Sequence, residues 1–299
     1  MKIGLVGLGK MGLNLTKNMI NKGYEVYTFD KDSQRIRMSE KVGAIGCISL
    51  KNLCKKLKEN RILWIMVPSG NPTEDVLNEL KNYLDKKDII IEAGNSNYKD
   101  SMRRFENFQN IDIDYLDAGI SGGQDGALNG ICAMIGGKES TFKKVERIFK
   151  DISIENGYLY TGKSGSGHFS KMIHNGIEYG MLQAIGEGFE ILEKSDFDYD
   201  MESLADLWNH GSVIRGWLME LTKNVFNKDK NLDTIKGVID ANGEGLWTAQ
   251  TALEMGIPAP VITASVMVRH RSKQEDTYSG KLIASLRNEF GGHSIIENK

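Results

Sequence analysis

The 299-residue sequence has few cysteines, no charge of one sign in excess and no long apolar run. Cys47, Cys54 and Cys132 form no CxxC pair and are odd in number, which argues against a disulfide framework and for free thiols in a reducing compartment. The five histidines show no metal-site spacing with the cysteines, so no metal is expected. A net charge of −2 with dispersed acids and bases gives no footprint for nucleic acid or an anionic membrane. No apolar stretch reaches the ~18 residues of a membrane span. No charged n-region with a separate apolar h-region precedes the strand-like start, so no signal peptide is expected and the chain reads as cytoplasmic. There is no internal repeat, and the only low-complexity tract is the short turn at 227–231. What remains is ordinary globular composition, 40% apolar and 26% charged, in a chain long enough for one or two domains.

The first half alternates short apolar runs with helical patterns. Residues 3–7, 25–29, 62–67, 89–93 and 115–118 read as strands of a parallel sheet covered on both faces, with 131–135 a further strand before Gly136-Gly137. Asn71-Pro72-Thr73-Glu74 predicts a helix start with Asn71 as N-cap, Pro72 at N1 and Glu74 at N3. From Ser166 the strand signals stop. Helical patterns follow at 167–195, 203–224, 234–240, 248–255, 260–271 and 277–290. The turn at 161–165 separates the two regimes. The expected fold is therefore a doubly wound, mostly parallel α/β Rossmann-type domain over 1–163, followed by an all-α domain over 164–299.

Gly7-Leu8-Gly9-Lys10-Met11-Gly12 closes the first strand and opens a helix. Gly7 permits the tight turn, Gly9 the close approach of a pyrophosphate and Gly12 close helix–strand packing. Amides at the helix N-terminus then face the phosphates. Asp30 stands 18 residues beyond Gly12, at the end of the second strand. There a carboxylate can accept from adenosine ribose hydroxyls and repel a 2′-phosphate, which favours NAD over NADP. Lys31 and Arg35 lie close enough in sequence to soften that repulsion. Val67-Pro68-Ser69 and Ala93-Gly94-Asn95 end two later strands, where ligands of open α/β sheets gather. They add Val67, Pro68 and Asn95 to the expected coenzyme residues.

In the stretch 165–180, Lys171, His174, Asn175 and Glu178 fall at offsets 0, +3, +4 and +7. A repeat of about 3.6 residues puts all four on one helix face. Ammonium, imidazole, carboxamide and carboxylate make poor core, and they could form the wall of a site that moves protons. Ser121-Gly122-Gly123 follows the 115–118 strand. Its glycine amides and hydroxyl suit a carboxylate or phosphate, although alone this tripeptide is as readily a plain loop.

Taken in order, the GxGxxG, the SGG loop and Gly165-x-Gly167-x-x-x-Lys171-x-x-x-Asn175 resemble the β-hydroxyacid dehydrogenase superfamily. Within it, His168 to Gly180 resembles the signature of the decarboxylating 6-phosphogluconate dehydrogenase family. His174, Glu178 and Tyr179 separate the chain from 3-hydroxyisobutyrate-type relatives. Two later elements also match the family: Gly243-Glu244-Gly245-Leu246-Trp247-Thr248, and a tail with Arg287 and His293. The resemblance spans essentially the whole chain and is to a short form of the family. One departure stands out: Leu246 occupies the position of a phosphate-contacting lysine. Phosphate neutralisation would then fall to Arg269 and to Arg287 of a neighbouring subunit, whose forked guanidinium groups suit it. Tyr179 and Thr248 would add hydrogen bonds.

The resemblance implies oxidation of 6-phosphogluconate at C3, loss of CO2 and release of ribulose 5-phosphate. Lys171 would take the hydroxyl proton and then polarise the ketone. That requires a lysine held below its free pKa of about 10.4, by burial or a nearby cation. Glu178 would protonate C1 of the enediol, and Asn175 would orient the hydroxyl and the nicotinamide amide. Ser121, Gly122 and Gly123 would hold the carboxylate, and His174 a sugar hydroxyl. A tail that serves a neighbour's substrate implies a homo-oligomer, dimer or tetramer, with shared sites. Two alternatives stand beside this: a 3-hydroxyacid dehydrogenase for a small unphosphorylated substrate, and a non-catalytic NAD-binding module. Trp208, Trp217 and Trp247 are expected to pack between helices.

Overall fold

Runs rich in Ile, Val and Leu form the strands because their side chains can be buried alternately on both sides of a sheet. The computed structural model describes residues 1–241 and 243–296, and contacts divide the chain into two units meeting at residues 175 and 176. The first unit opens with β1 (Lys2–Val6), α1 (Lys10–Asn21), β2 (Glu25–Phe29), α2 (Ser33–Lys41), β3 (Ile45–Gly46) and α3 (Leu50–Leu57). It continues with β4 (Ile62–Ile65), α4 (Asn71–Leu80), β5 (Ile89–Glu92) and α5 (Tyr98–Gln109). It closes with β6 (Asp114–Ser121), α6 (Gly123–Asn129), β7 (Ile131–Gly137), α7 (Glu139–Ile152) and β8 (Ser153–Gly162).

The strands form one sheet in the order β3-β2-β1-β4-β5-β6-β7-β8. Every neighbouring pair is parallel except β6 and β7. Trp64, Ile89 and Ile91 join one apolar cluster with Leu15, Met19 and Phe149. Leu63, Ile65 and Ile90 join another with Leu53, Leu80 and Phe108. Alternate residues of the same strands thus feed two cores, so helices cover both faces of a doubly wound, mostly parallel sheet, as the sequence pattern predicts.

Three local details differ from expectation, the first being β3, a two-residue strand that no apolar run announces. The N-cap of α4 is Gly70, at φ 82°, and Asn71 is already helical, because the left-handed turn at Gly70 closes the helix one residue earlier. β8 has no counterpart among the expected strands. Its Asn156 adopts a left-handed φ of 59° and the register with β7 shifts. A bulge of this kind interrupts the period-two pattern by which strands are read.

An all-helical unit follows. α8 (Ser166–Glu193) carries the chain across residues 175 and 176, and α9 (Met201–Asn209), α10 (Trp217–Lys228), α11 (Glu244–Glu254), α12 (Pro260–Arg271) and α13 (Tyr278–Gly291) complete it. The single helix expected at 203–224 is two, because Gly211 takes a left-handed φ of 79°. The helix expected at 234–240 does not form. Its backbone instead binds the end of α12: Ile239 N donates to Ser272 Oγ at 2.9 Å, and Asp240 O accepts from Arg269 Nη1 at 3.0 Å. Phe189, Ala205 and Met219 are buried together, with Trp208 edge-on to Phe189 at 5.5 Å. Trp217, expected to pack, is 52% exposed at the start of α10. No helix among the described residues is long and apolar enough to cross a membrane.

Cys47 and Cys54 are buried, Cys132 is exposed, and all three are free. Burial pushes the Cys54 thiol up to about 11 and raises Cys47 as well, so at pH 8 both stay protonated and unreactive. An alkylating reagent at pH 8 is therefore expected to label Cys132 fast, and Cys47 and Cys54 only after denaturation, as read by peptide mass spectrometry. Rapid native labelling of Cys54 would contradict this packing.

Candidate active site

The order of the sheet reverses between β1 and β4, the crevice where open α/β sheets bind ligands. There the carboxyl ends of β1, β2, β4 and β5 surround a cavity of about 440 Å³. Nine of the ten expected coenzyme residues line it: Gly7, Gly9, Lys10, Met11, Gly12, Asp30, Val67, Pro68 and Asn95. Gly7 takes φ 97°, and any Cβ on it would overlap Met66 O. A Cβ on Gly12 would overlap Gly7 O, whereas Gly9 faces open space. α1 starts with no side-chain cap and no acidic residue in its first turn. Its amides are therefore available to an anion, and these residues fit a dinucleotide pyrophosphate.

Leu8 differs from expectation in its task. It is buried, and its N–H donates to Asp30 Oδ2 at 2.6 Å, so Asp30 braces the glycine turn from the neighbouring strand. Asp30 Oδ1 also accepts from Asp32 N at 2.8 Å, and Arg35 Nη1 lies 3.8 Å from Oδ2. An ionised carboxylate has about four acceptor sites, so capacity for ribose hydroxyls remains. Asn95 adopts a left-handed φ of 54°, and its side chain clamps Ile120, accepting from Ile120 N at 3.0 Å and donating to Ile120 O at 3.3 Å. The cavity also takes in Phe29, Met66 and Val76; as ordinary apolar residues they carry no motif by which sequence could single them out.

On the same sheet, the first turn of α8 lies directly against β6 and β7. A Cβ on Gly119 would overlap Lys171 Cβ, and one on Gly167 would come within 2.5 Å of both Asp117 O and Met134 O. Lys171 is buried at 5% exposure. Its Nζ donates to Asn175 Oδ1 at 2.7 Å. His174 Nδ1 lies 2.9 Å from the same oxygen, and His174 Nε2 lies 3.3 Å from Ser121 Oγ. The first unit therefore strings Ser121, His174, Asn175 and Lys171 into one hydrogen-bonded row. Gly122 (φ 110°) and Gly123 (φ 59°) turn the backbone beside Ser121 into α6.

The second unit gathers three more expected residues. The Arg269 guanidinium stacks 3.5 Å from the Tyr179 ring centroid, a cation–π contact that also fixes the fork. Gly245 admits the Tyr179 ring, since a Cβ there would overlap it. Thr248, one turn along α11, is buried and donates to Glu244 O at 2.9 Å. Leu246 is 37% exposed. Glu178 is half-buried on α8. Arg287 is exposed near the end of α13, a helix with no buried residue, and His293 is exposed just beyond it. Replacing Gly12 by Ala should raise the Kd for NADH at least ~10-fold, about 1.4 kcal/mol, in a fluorescence titration. Unchanged affinity would remove the glycine turn from the coenzyme site.

Relatives carry the same organisation. Residues 2–162 match the NAD binding domain of 6-phosphogluconate dehydrogenase, and residues 167–294 match the 6-phosphogluconate dehydrogenase C-terminal domain. The Bacillus subtilis (strain 168) protein YqeC, provisionally named a 6-phosphogluconate dehydrogenase, is 53% identical over 294 residues, covering 98% of this chain and 99% of its own length. A Haloferax volcanii 6-phosphogluconate dehydrogenase, named as NAD(+)-dependent and decarboxylating, is 36% identical over 297 residues, covering 99% and 98%. The solved 6-phosphogluconate dehydrogenase of Plasmodium falciparum, studied in apo form, with NADP+ and with 6-phosphogluconate, superposes with a TM-score of 0.83 at 30% identity. The match covers 100% of this chain and 66% of that one. The chain has an NAD(P)-binding domain and belongs to the 6-phosphogluconate dehydrogenase family of oxidoreductases.

Proposed function

We propose that the protein catalyses the oxidative decarboxylation of 6-phospho-D-gluconate to D-ribulose 5-phosphate and CO2, with NAD favoured over NADP. The observation that carries this reading is the row Ser121–His174–Asn175–Lys171, which sets a buried lysine at one end and a serine hydroxyl at the other. Bound NAD would supply the acceptor for the C3 hydride. Gly7, Gly9, Gly12 and the α1 amides would hold its pyrophosphate, and Asp30 its ribose.

Lys171, when neutral, accepts the C3 hydroxyl proton as the hydride leaves. Once protonated it stabilises negative charge on the ketone oxygen while the C1–C2 bond breaks and CO2 departs. A β-keto acid beside an ammonium already has its electron sink, so no metal is needed. Asn175 orients the hydroxyl, His174 binds a sugar hydroxyl, and Ser121 with the amides of Gly122 and Gly123 holds the C1 carboxylate. Glu178 delivers the proton to C1 of the enediol. Tyr179, Thr248 and Arg269 take the phosphate, for which the stacked Arg269 fork is suited. Residues 1–163 then serve the coenzyme and add the Ser121–Gly123 loop to the substrate site, and residues 164–299 supply the rest of that site.

NAD is favoured because the Asp30 carboxylate repels a 2′-phosphate, with Arg35 at 3.8 Å as a partial counterweight. Arg287 and His293 would complete the phosphate end of a neighbouring subunit's site. Support for that lies in α13. It leaves Leu282, Ile283, Leu286 and Phe290 exposed, and a helix this short is marginal in water without packing. A second copy of the chain is the cover proposed, giving at least a dimer.

Steady-state assays with 6-phosphogluconate should give a kcat/KM at least ~10-fold higher with NAD than with NADP, about 1.4 kcal/mol. Lys171→Met should abolish oxidation, and Glu178→Gln should slow turnover by about 10²-fold. Full activity in either variant would remove its assigned role. Reduction of NAD with 3-hydroxyisobutyrate but not with 6-phosphogluconate would overturn the reading in favour of a small-hydroxyacid dehydrogenase. A fully active monomer in solution would contradict the shared tail.

A further inference from the structure

We propose that Asp117 is a positioning residue for Lys171. Its buried carboxylate fastens the first turn of α8 to β6, so that one strand sets the place of both the lysine and the Ser121 loop. The inference rests on the reading of Lys171 as the proton acceptor.

Asp117 is fully buried in the middle of β6, with no lysine or arginine bonded to it among the described side-chain contacts. A carboxylate in that position requires compensation. The compensation comes from the start of α8. Asp117 Oδ1 accepts from Gly165 N at 2.7 Å and from Ser164 Oγ at 3.3 Å, and Oδ2 accepts from His168 N at 3.0 Å. Gly165 and His168 bracket the first helical turn, whose N–H groups lack partners inside the helix. Negative charge there also meets the positive end of the helix dipole. Three donors from one turn converge on one carboxylate, which is a tight constraint on where that turn sits.

The constraint reaches Lys171 because the helix has no slack. Lys171 is one turn beyond His168, and its Cβ lies so close over Gly119 that no side chain fits between them. Gly119 is two residues from Asp117 on the same strand and two from Ser121. A Cβ on Gly136 would come within 2.8 Å of both Asp117 carboxylate oxygens, so β7 also leaves room for the fastening. On the adjacent strand Glu92 is the register partner of Asp117 and is equally buried. Glu92 Oε1 accepts from Gly94 N at 2.8 Å, holding the loop that lines the coenzyme cavity. Glu92 Oε2 takes Arg104 Nη1 at 3.0 Å and lies 3.7 Å from His168 Nδ1. His168 in turn meets Ser101 Oγ at 2.7 Å. Two buried carboxylates at one level of the sheet thus hold the coenzyme-side loop and the lysine's helix.

Asp117→Asn keeps the shape but puts an NH2 group against one of two backbone N–H donors. Gly119→Ala disturbs the same seat sterically without changing charge. In both variants kcat is expected to fall at least ~10-fold, with the KM for 6-phosphogluconate changing less than ~3-fold and the Kd for NADH less than ~2-fold. That split marks a displaced reacting group rather than lost binding. A merely structural role would lower Tm and leave kcat unchanged below the melting range. Wild-type kcat in both variants, with Lys171→Met inactive, overturns the proposal alone. Turnover retained by Lys171→Met overturns the reading beneath it. Hydrogen exchange on the unmodified protein gives a test independent of variant folding: the Gly165 and His168 amides should exchange as slowly as those of β5 and β6. Exchange at the rate of exposed loops would overturn the fastening.

Discussion

The first turn of α8 rests on bare backbone. Gly119, Gly136 and Gly167 leave no space for a Cβ where helix and sheet meet, and the chemistry proposed for the chain follows from that contact. A lysine side chain is long, flexible and strongly hydrated. Bringing one out of water in a defined place requires that its own backbone be fixed first. The glycines let the helix approach and the Asp117 carboxylate holds it there. Lys171 is then buried with Asn175 as its partner at 2.7 Å.

The coenzyme cavity depends on the same sheet edge. Gly7 and Gly12 shape the turn after β1, Asp30 braces Leu8 from β2, and Asn95 clamps the end of β5 to Ile120 on β6. Ser121 follows Ile120 directly. Each link is a hydrogen bond between a short side chain and the backbone, or a close approach, and none depends on a long side chain. Groups placed in this way lose little entropy when a ligand arrives, which is the condition for holding reactants in near-attack geometry.

The motifs with a backbone cause were legible in the sequence. Gly7, Gly12, Gly165 and Gly167 stand where their conformation or their lack of a side chain is needed, and periodicity predicts most of the strands and the run of helices. Asp117 and Glu92 were not legible as fasteners, because an acid inside an apolar strand says that it has a partner without saying which. Asn95 lines the cavity at the sheet's carboxyl edge, but the sequence carries no sign that its side chain also clamps Ile120. The helix expected at 234–240 failed because Asp240 and Ile239 bond to Arg269 and Ser272, residues about 30 positions away, and tertiary bonds of that kind override local periodicity. Trp217 and the apolar residues Leu282, Ile283, Leu286 and Phe290 of α13 are exposed, so residue type alone did not place them in a core.

The assignment of a lysine-driven oxidative decarboxylation can be tested by stoichiometry. With 6-phosphogluconate labelled at C1, CO2 released and NADH formed should appear in a ratio of one to one throughout turnover. NADH formation without CO2 release would contradict it and leave a simple hydroxyacid oxidation in its place.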